Sequence, residues 1–316
     1  MTEQQWLELR DETNMPAFGL GTWKSKPGEV YDAVRAAIDI GYRHIDCAWI
    51  YGNEHEVGRA IEDAVSAGTV ERDELWVTSK LWNDAHETEH VQPAIEETLD
   101  NLRLEYVDLY LIHWPLAFRR GVEFPDGRDD FLTLEEAPLE ETWEAMIGLK
   151  ESGLTRQIGV SNMGPERIEM LSKVGQVPAV VQVESHPHLQ QRELLSYCNE
   201  RGIVLTAYSP LGSTDRQNRK PDEPPLMGHE TIEAIADEVD ASPAQVLIAW
   251  ALQRGTSVIP KSVTRSHIAD NYEALDLELT DEHMERIAQM DKGYRYLDGE
   301  FFCGEDSPYE ADQIWV

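Results

Sequence analysis

Eight short apolar runs recur along this chain, and their rhythm limits its fold more than any other feature. They fall at 18–21 (FGLG), 43–47 (RHIDC), 75–79 (LWVTS), 107–112 (VDLYLI), 156–160 (RQIGV), 179–183 (AVVQV), 203–207 (IVLTA) and 257–259 (SVI). Amphipathic stretches separate them. Across 88–102, Val91, Ile95, Leu99 and Leu102 share one face of a 3.6-residue helix. Ser242, Pro243 and Gln245 read as the N-cap, first and third positions of another helix. Strands that alternate with helices lie parallel, joined by right-handed crossovers. Eight of them predict closure into an α/β fold, the (β/α)₈ TIM barrel. A short hairpin near 7–18 is placed to plug its bottom. The length, 316 residues, accommodates one such barrel, and no repeat, linker or low-complexity stretch divides it. Residues 1–316 therefore read as a single domain.

Three stretches exceed the usual loop length: 114–138, 209–228 and the tail from about 291. In a barrel, loops that follow strands gather at the C-terminal face, where active sites are built. The first two follow strands four and seven and are expected to wall a substrate and cofactor site. The tail is expected to cap it.

Four polar residues fall at or just beyond strand ends on that same rim. Asp46 closes the second strand, Tyr51 follows five residues later, Lys80 closes the third and His113 the fourth. A carboxylate, a phenol, an ammonium and an imidazole from three neighbouring strands form a far stronger signal than any one alone. The set suits carbonyl reduction, which adds a hydride to carbon and a proton to oxygen. A phenol is a reluctant acid at neutral pH, and a neighbouring lysine is expected to lower its pKa. Asp46 is expected to pair with Lys80, and His113 to orient the carbonyl oxygen.

Charge narrows the partners. The chain holds 60 acidic and 27 basic residues, for a net charge of −33, and only 8 of the basic residues are lysine. Such a surface repels nucleic acid and anionic membranes. The acid excess is spread along the whole chain, which suits a halophilic protein in concentrated salt, where self-repulsion is screened. Three scattered cysteines, Cys47, Cys198 and Cys303, supply neither a disulfide framework nor metal-ligand spacing. No metal is expected. No apolar run reaches the length of a membrane span, and the acidic N-terminus does not read as a signal peptide. A cytoplasmic protein, monomeric or weakly dimeric, is expected.

The motifs resemble a known family. GYRHIDCAWIYGNE at 41–54, VDLYLIHWP at 107–115, IGVSN at 158–162, SPLGS at 209–213 and IPKSV at 259–263 are similar to segments of the aldo-keto reductases. The resemblance runs from about residue 7 to 290. GTWKS at 21–25 and the long 114–138 loop bring it nearest to aldose-reductase-like and xylose-reductase-like members. It implies NAD(P)H-dependent reduction of an aldehyde or ketone, a sugar aldehyde among the candidates. Tyr51 would be the proton donor, Asp46 and Lys80 its tuning pair, and His113 the carbonyl-orienting residue.

No GxGxxG follows a strand, so no Rossmann domain is expected. The resemblance implies an extended dinucleotide over the barrel top instead. Ser161, Asn162 and Gln182 would hold the carboxamide, with Tyr208 stacked on the nicotinamide. Ser209, Leu211 and Ser213 would lie along the pyrophosphate. Lys261, Ser262 and Val263 would meet the adenosine phosphate, and Asn271 the adenine. Gln182, polar inside an apolar strand, must in any case find a partner. His267 stands where many NADPH-using relatives place an arginine, so NADPH is expected with NADH also usable. Trp23, Ile50, Trp82, Trp114 and Phe124 would surround a small uncharged carbonyl substrate. Two other functions are open to such a barrel: a cofactor-binding regulatory barrel with little turnover, and an aldolase or isomerase using Lys80 as a Schiff-base nucleophile. The intact four-residue set argues against the first, and the Tyr51/His113 pairing against the second.

Overall fold

The computed structural model describes residues 4–216, 219–220 and 222–315. It opens on an antiparallel hairpin, β1 (Trp6–Glu8) and β2 (Asn14–Pro16), with Leu7 opposite Met15. Then follow β3 (Leu20–Gly21), α1 (Glu29–Ile40), β4 (His44–Asp46), α2 (Glu54–Ser66), β5 (Trp76–Leu81), α3 (Thr88–Leu102) and β6 (Val107–Ile112). A second hairpin, β7 (Ala117–Phe118) and β8 (Phe131–Leu132), precedes α4 (Leu139–Glu151). The alternation resumes with β9 (Thr155–Ser161), α5 (Pro165–Ser172), β10 (Val180–Glu184), α6 (Arg192–Arg201) and β11 (Val204–Tyr208). Two helices, α7 (Glu230–Glu238) and α8 (Pro243–Gln253), lead to β12 (Ser257–Val258). The chain ends with α9 (Arg265–Glu273), α10 (Asp281–Ala288) and the short α11 (Ala311–Ile314).

Eight of these strands pair in parallel in the order β3-β4-β5-β6-β9-β10-β11-β12. Parallel bridges from Phe18 to Val258 and from Gly21 to Lys261 join the two outer strands, so the sheet closes on itself as a (β/α)₈ barrel. Closure demands close backbone approach. A Cβ on Gly21 would meet the Ile259 carbonyl at 2.9 Å, and one on Gly159 the Val180 carbonyl at 2.3 Å. The strands are buried on both faces because helices cover them outside and side chains fill them within. The N-terminal hairpin covers the bottom, where Leu9 and Met15 pack on Trp76, Leu109 and Val180.

Helix starts follow their sequence signals. Ser242 accepts from the Gln245 N–H while the Gln245 side chain accepts from the Ser242 N–H, a reciprocal capping box. The 114–138 segment differs from its reading as a loop. Ala117 and Phe118 pair with Leu132 and Phe131, an apolar ladder that the intervening Gly, Pro and charged residues conceal. Cys47 and Cys198 are buried thiols outside any disulfide. No helix among the described residues is long and apolar enough to cross a membrane.

The tail is fastened at several points. At its start, both oxygens of the Glu184 carboxylate accept backbone N–H groups, from Tyr296 at 2.7 Å and Leu297 at 2.8 Å. Further on, Tyr309 donates to the Leu132 carbonyl and accepts from the Ala117 N–H. Phe302, Tyr309 and Ile314 thereby join Trp82, Trp114 and Phe118 in one buried cluster.

Candidate active site

The residues singled out at strand ends meet at the C-terminal mouth of the barrel. Asp46 ends β4 and Lys80 stands on β5 beside it, with Thr78 of β5 opposite Asp46 in register. The Lys80 ammonium, wholly buried, donates to Asp46 Oδ1 at 2.7 Å and to the Cys47 carbonyl at 2.7 Å. It also donates to the Tyr51 phenol oxygen at 3.4 Å. That contact leaves the phenol's own hydrogen for another acceptor. Asp46 Oδ2 accepts from Gln182 Nε2 at 2.7 Å, so the polar residue in strand β10 finds its partner in this centre.

Tyr51 sits on a single 3₁₀ turn, Trp49–Tyr51, that Gly52 ends in the left-handed region. His113 lies edge-on to it, with ring centroids 5.9 Å apart. Burial is the main force on both. It pushes the Tyr51 phenol well above its ordinary range, and the Asp46 carboxylate adds to the effect. The expectation that Lys80 would pull this phenol down is thus not met here: loss of solvation by the phenolate outweighs one cation at 3.4 Å. Tyr51 keeps its proton. Burial, then the nearby charge of Lys80, pushes His113 well below the usual imidazole range, so it is neutral. Its Nδ1 is enclosed, and the ring faces the cleft.

These groups floor one end of an elongated cleft of about 450 Å³. Trp23, Ile50, Trp82, Trp114 and Phe124 line that end, joined by Leu297, Phe301 and Phe302 from the tail. The cleft then runs past Ser161, Asn162, Gln182 and Tyr208, along Ser209, Leu211 and Ser213, to Lys261, Ser262 and Val263. His267 and Asn271 lie beyond these lining residues on α9, His267 exposed in its first turn and Asn271 buried.

The donor set suits a dinucleotide. The Ser161 hydroxyl and the Asn162 and Gln182 amides converge in mid-cleft. The Tyr208 hydroxyl, donating to Asn162 Oδ1 at 2.7 Å, fixes its ring at the wall. Two cations stand further along. Lys24 lies 3.3 Å and Lys261 3.6 Å from Asp215, tying the 209–228 loop to the barrel. Lys24, Asn162, Ser209 and Ser213 all adopt left-handed backbone and all line this cleft. Such strain in non-glycine residues collects at binding sites. An amide-lined middle and a cationic end fit a nicotinamide and a phosphate.

Sequence reasoning passes over Lys24, Asp215, Met227 and Leu297. Lys24 had a signal, since lysine is rare here and this one lies in GTWKS. Asp215 and Met227 had none, because their place depends on how a long loop folds back.

A closed parallel barrel with this rim set and this trough defines a (β/α)₈ barrel with a cleft at its C-terminal mouth suited to an oxidoreductase. The profile of the Aldo/keto reductase family matches residues 16–292, and the chain belongs to that family. It is 47% identical over 318 residues to aldo/keto reductase slr0942 of Synechocystis sp., covering 100% of this chain and 97% of that one. It is 48% identical over 292 residues to aldo-keto reductase family 1 member A1 of Rattus norvegicus, covering 92% and 90% respectively, and it matches the Homo sapiens protein of that name to the same extent. Members of the family generally carry out NAD(P)H-dependent reduction of small carbonyl compounds.

Proposed function

We propose that this protein reduces a small uncharged aldehyde or ketone to the alcohol, preferring NADPH and accepting NADH. When bound, the reduced nicotinamide supplies the hydride. Tyr51 gives the proton to the carbonyl oxygen, and neutral His113 donates a hydrogen bond that orients it. The observation that carries this reading is the Lys80 ammonium, which donates into the Tyr51 oxygen and is itself held by Asp46. Burial keeps the phenol protonated until an oxygen gathering negative charge arrives. Lys80 then stabilises the phenolate that remains.

Ser161, Asn162, Gln182 and Tyr208 hold the nicotinamide end. Ser209, Leu211 and Ser213 lie along the pyrophosphate, and Lys261, Ser262 and Val263 meet the adenosine phosphate. The substrate end is walled by aromatic and aliphatic side chains, with Phe124 and Phe301 exposed at its rim. Among the described residues Trp23, Ile50, Trp82, Trp114 and Phe124 give these walls no charge, with the Lys24 ammonium 4.0 Å from the Trp23 ring on its way to the cationic end, and an apolar wall favours a neutral carbonyl over an acid.

Replacement Tyr51→Phe tests the assignment. General acid catalysis contributes ~10²–10⁴-fold, so single-turnover reduction should fall by about that factor while cofactor affinity holds. A variant that keeps more than about a tenth of the natural kcat sinks the role, since a tenfold loss is only ~1.4 kcal/mol of barrier.

A further inference from the structure

Behind Tyr51 lies a carboxyl to which the proposed reaction gives no task. Glu54 opens α2, three residues after Tyr51, and is 2% exposed. Its Oε1 accepts the Ser79 hydroxyl at 2.6 Å, and Ser79 directly precedes Lys80 on β5. The carboxyl also faces Thr98 and Asn101 across from α3. One buried side chain thus ties the segment that carries Tyr51 to the strand that carries Lys80. The neighbouring residue makes a second tie, the Asn53 amide donating to the Thr22 carbonyl at 3.0 Å.

Among the described residues Glu54 forms no ion pair, and the short contacts of Lys80 go to Asp46 and Cys47. Burial without a contacting cation pushes the carboxyl up to about 7, although Ser79, Asn101, Thr98 and Lys80 all pull the other way. The groups that face it are Ser79 and Lys80 on β5, Cys47 just past β4, Tyr110 on β6, and Thr98 and Asn101 on α3. Burial pushes Cys47 and Tyr110 upward, away from neutrality, and the charge of Glu54 adds to both shifts. Burial thus holds the Glu54 carboxyl near 7, with the charge of Lys80 among the influences on it.

We propose that Glu54 is a positioning residue for the Lys80–Tyr51 pair: as a neutral acid it leaves the Lys80 charge to Asp46 and Tyr51, and on losing its proton to solvent it draws that charge toward itself and weakens Tyr51 as a proton donor. The proposal rests on the reading of Tyr51 as the acid.

The test is the pH profile of kcat for aldehyde reduction from about pH 5 to 9 in the natural protein, Glu54→Gln and Ser79→Ala. The natural protein should lose roughly three- to tenfold as pH rises through about 7. Glutamine still accepts from Ser79 but carries no charge, so that step should vanish in Glu54→Gln. Ser79→Ala removes a hydrogen bond that favours the carboxylate, so its step should move to higher pH. KM should change little in either. A step that persists unshifted in Glu54→Gln overturns the proposal.

The infrared carbonyl band of a protonated carboxylic acid, lost in Glu54→Gln, follows the same ionisation without any assay of activity. A band that titrates in the natural protein while kcat stays flat also overturns the proposal. If Glu54→Gln fails to fold, the band is assigned by the move of its titration to higher pH in Ser79→Ala, which then also supplies the kinetic arm. Tyr51→Phe, assayed alongside, keeps the two readings apart. Activity retained there sinks the assignment of the acid, whereas an inactive Tyr51→Phe with an unshifted step in Glu54→Gln sinks the role of Glu54 alone.

Discussion

Lys80 Nζ sits 2.7 Å from Asp46 Oδ1, and its side chain has no exposure to solvent. An ammonium so placed is tolerated because its donors are used: Asp46, the Cys47 carbonyl and the Tyr51 oxygen take them. Removing one member of a buried pair strands the other, at a cost of ~3–5 kcal/mol. Asp46→Ala should therefore lower unfolding free energy by about that amount and cut kcat as well. Asp46→Asn keeps the shape and one carbonyl oxygen to accept from Lys80, giving up the acceptor for the Gln182 amide, and should cost less. Urea unfolding of the two variants gives the comparison. An Asp46→Ala protein as stable as its parent means that Lys80 finds solvent or another anion.

Glu54 makes a separate prediction about stability. Its folded pKa, about 7, lies above the ordinary carboxylate value of ~4.3 expected on unfolding. The folded state therefore holds a proton that the unfolded state has already shed between those values. That contribution is fully present below ~4.3 and is lost as pH rises through about 7. Its full size is roughly 4 kcal/mol, from a shift of nearly three pH units at 1.36 kcal/mol each. The natural protein should thus lose ground to Glu54→Gln across that window. Unfolding free energies of both proteins at matched pH values provide the measurement, and a constant difference between them would mean that Glu54 is ionised throughout.

Much of the fold is legible in the sequence, for a physical reason. In α3 and β6 the hydrophobic period coincides with real burial, and the expected bounds, 88–102 and 107–112, are those found. Strand β3 is shorter than its apolar run because Phe18 reaches across to Val258 by a lone bridge at the seam of the barrel. The rim set is legible because a barrel puts strand ends at its active face. Glu54 is not, since it is one acidic residue among 60 and nothing local marks it as buried. Nor is the contact of Asp215 with Lys24 and Lys261, which depends on a long loop folding back.

Salt is the third test. The proposed working medium is concentrated salt, because a net charge of −33 repels itself strongly when unscreened. The Debye length falls from ~10 Å at 0.1 M to ~3 Å at 1 M. Thermal unfolding from dilute buffer to molar KCl should show Tm rising substantially. The partly exposed contacts between Asp215 and the two lysines should weaken over the same range. A flat Tm together with full activity in dilute buffer means that the acidic surface is no adaptation to salt.

The cofactor preference turns on His267. The family resemblance sets this residue where an arginine often meets the 2′-phosphate that separates NADPH from NADH. In the structure it is exposed in the first turn of α9, just past the Lys261–Thr264 segment that lines the cationic end of the cleft. The N-terminal end of a helix favours an anion, and a guanidinium there would add a bidentate donor. A hydrogen bond to a charged group is worth ~1.5–3 kcal/mol. The substitution His267→Arg should therefore tighten NADPH binding by roughly ten- to a hundredfold and leave NADH nearly unchanged, because NADH has no phosphate to receive it. Lys261 and Ser262 remain in the natural protein, so NADPH should already hold a smaller lead. Salt weakens all such contacts, so both cofactors must be compared at one fixed concentration. The dissociation constants, read from quenching of the protein's fluorescence in the natural protein and the variant, decide the matter. If the substitution moves both cofactors alike, or neither, His267 does not face the 2′-phosphate, and the adenosine end must be sought elsewhere along the cleft.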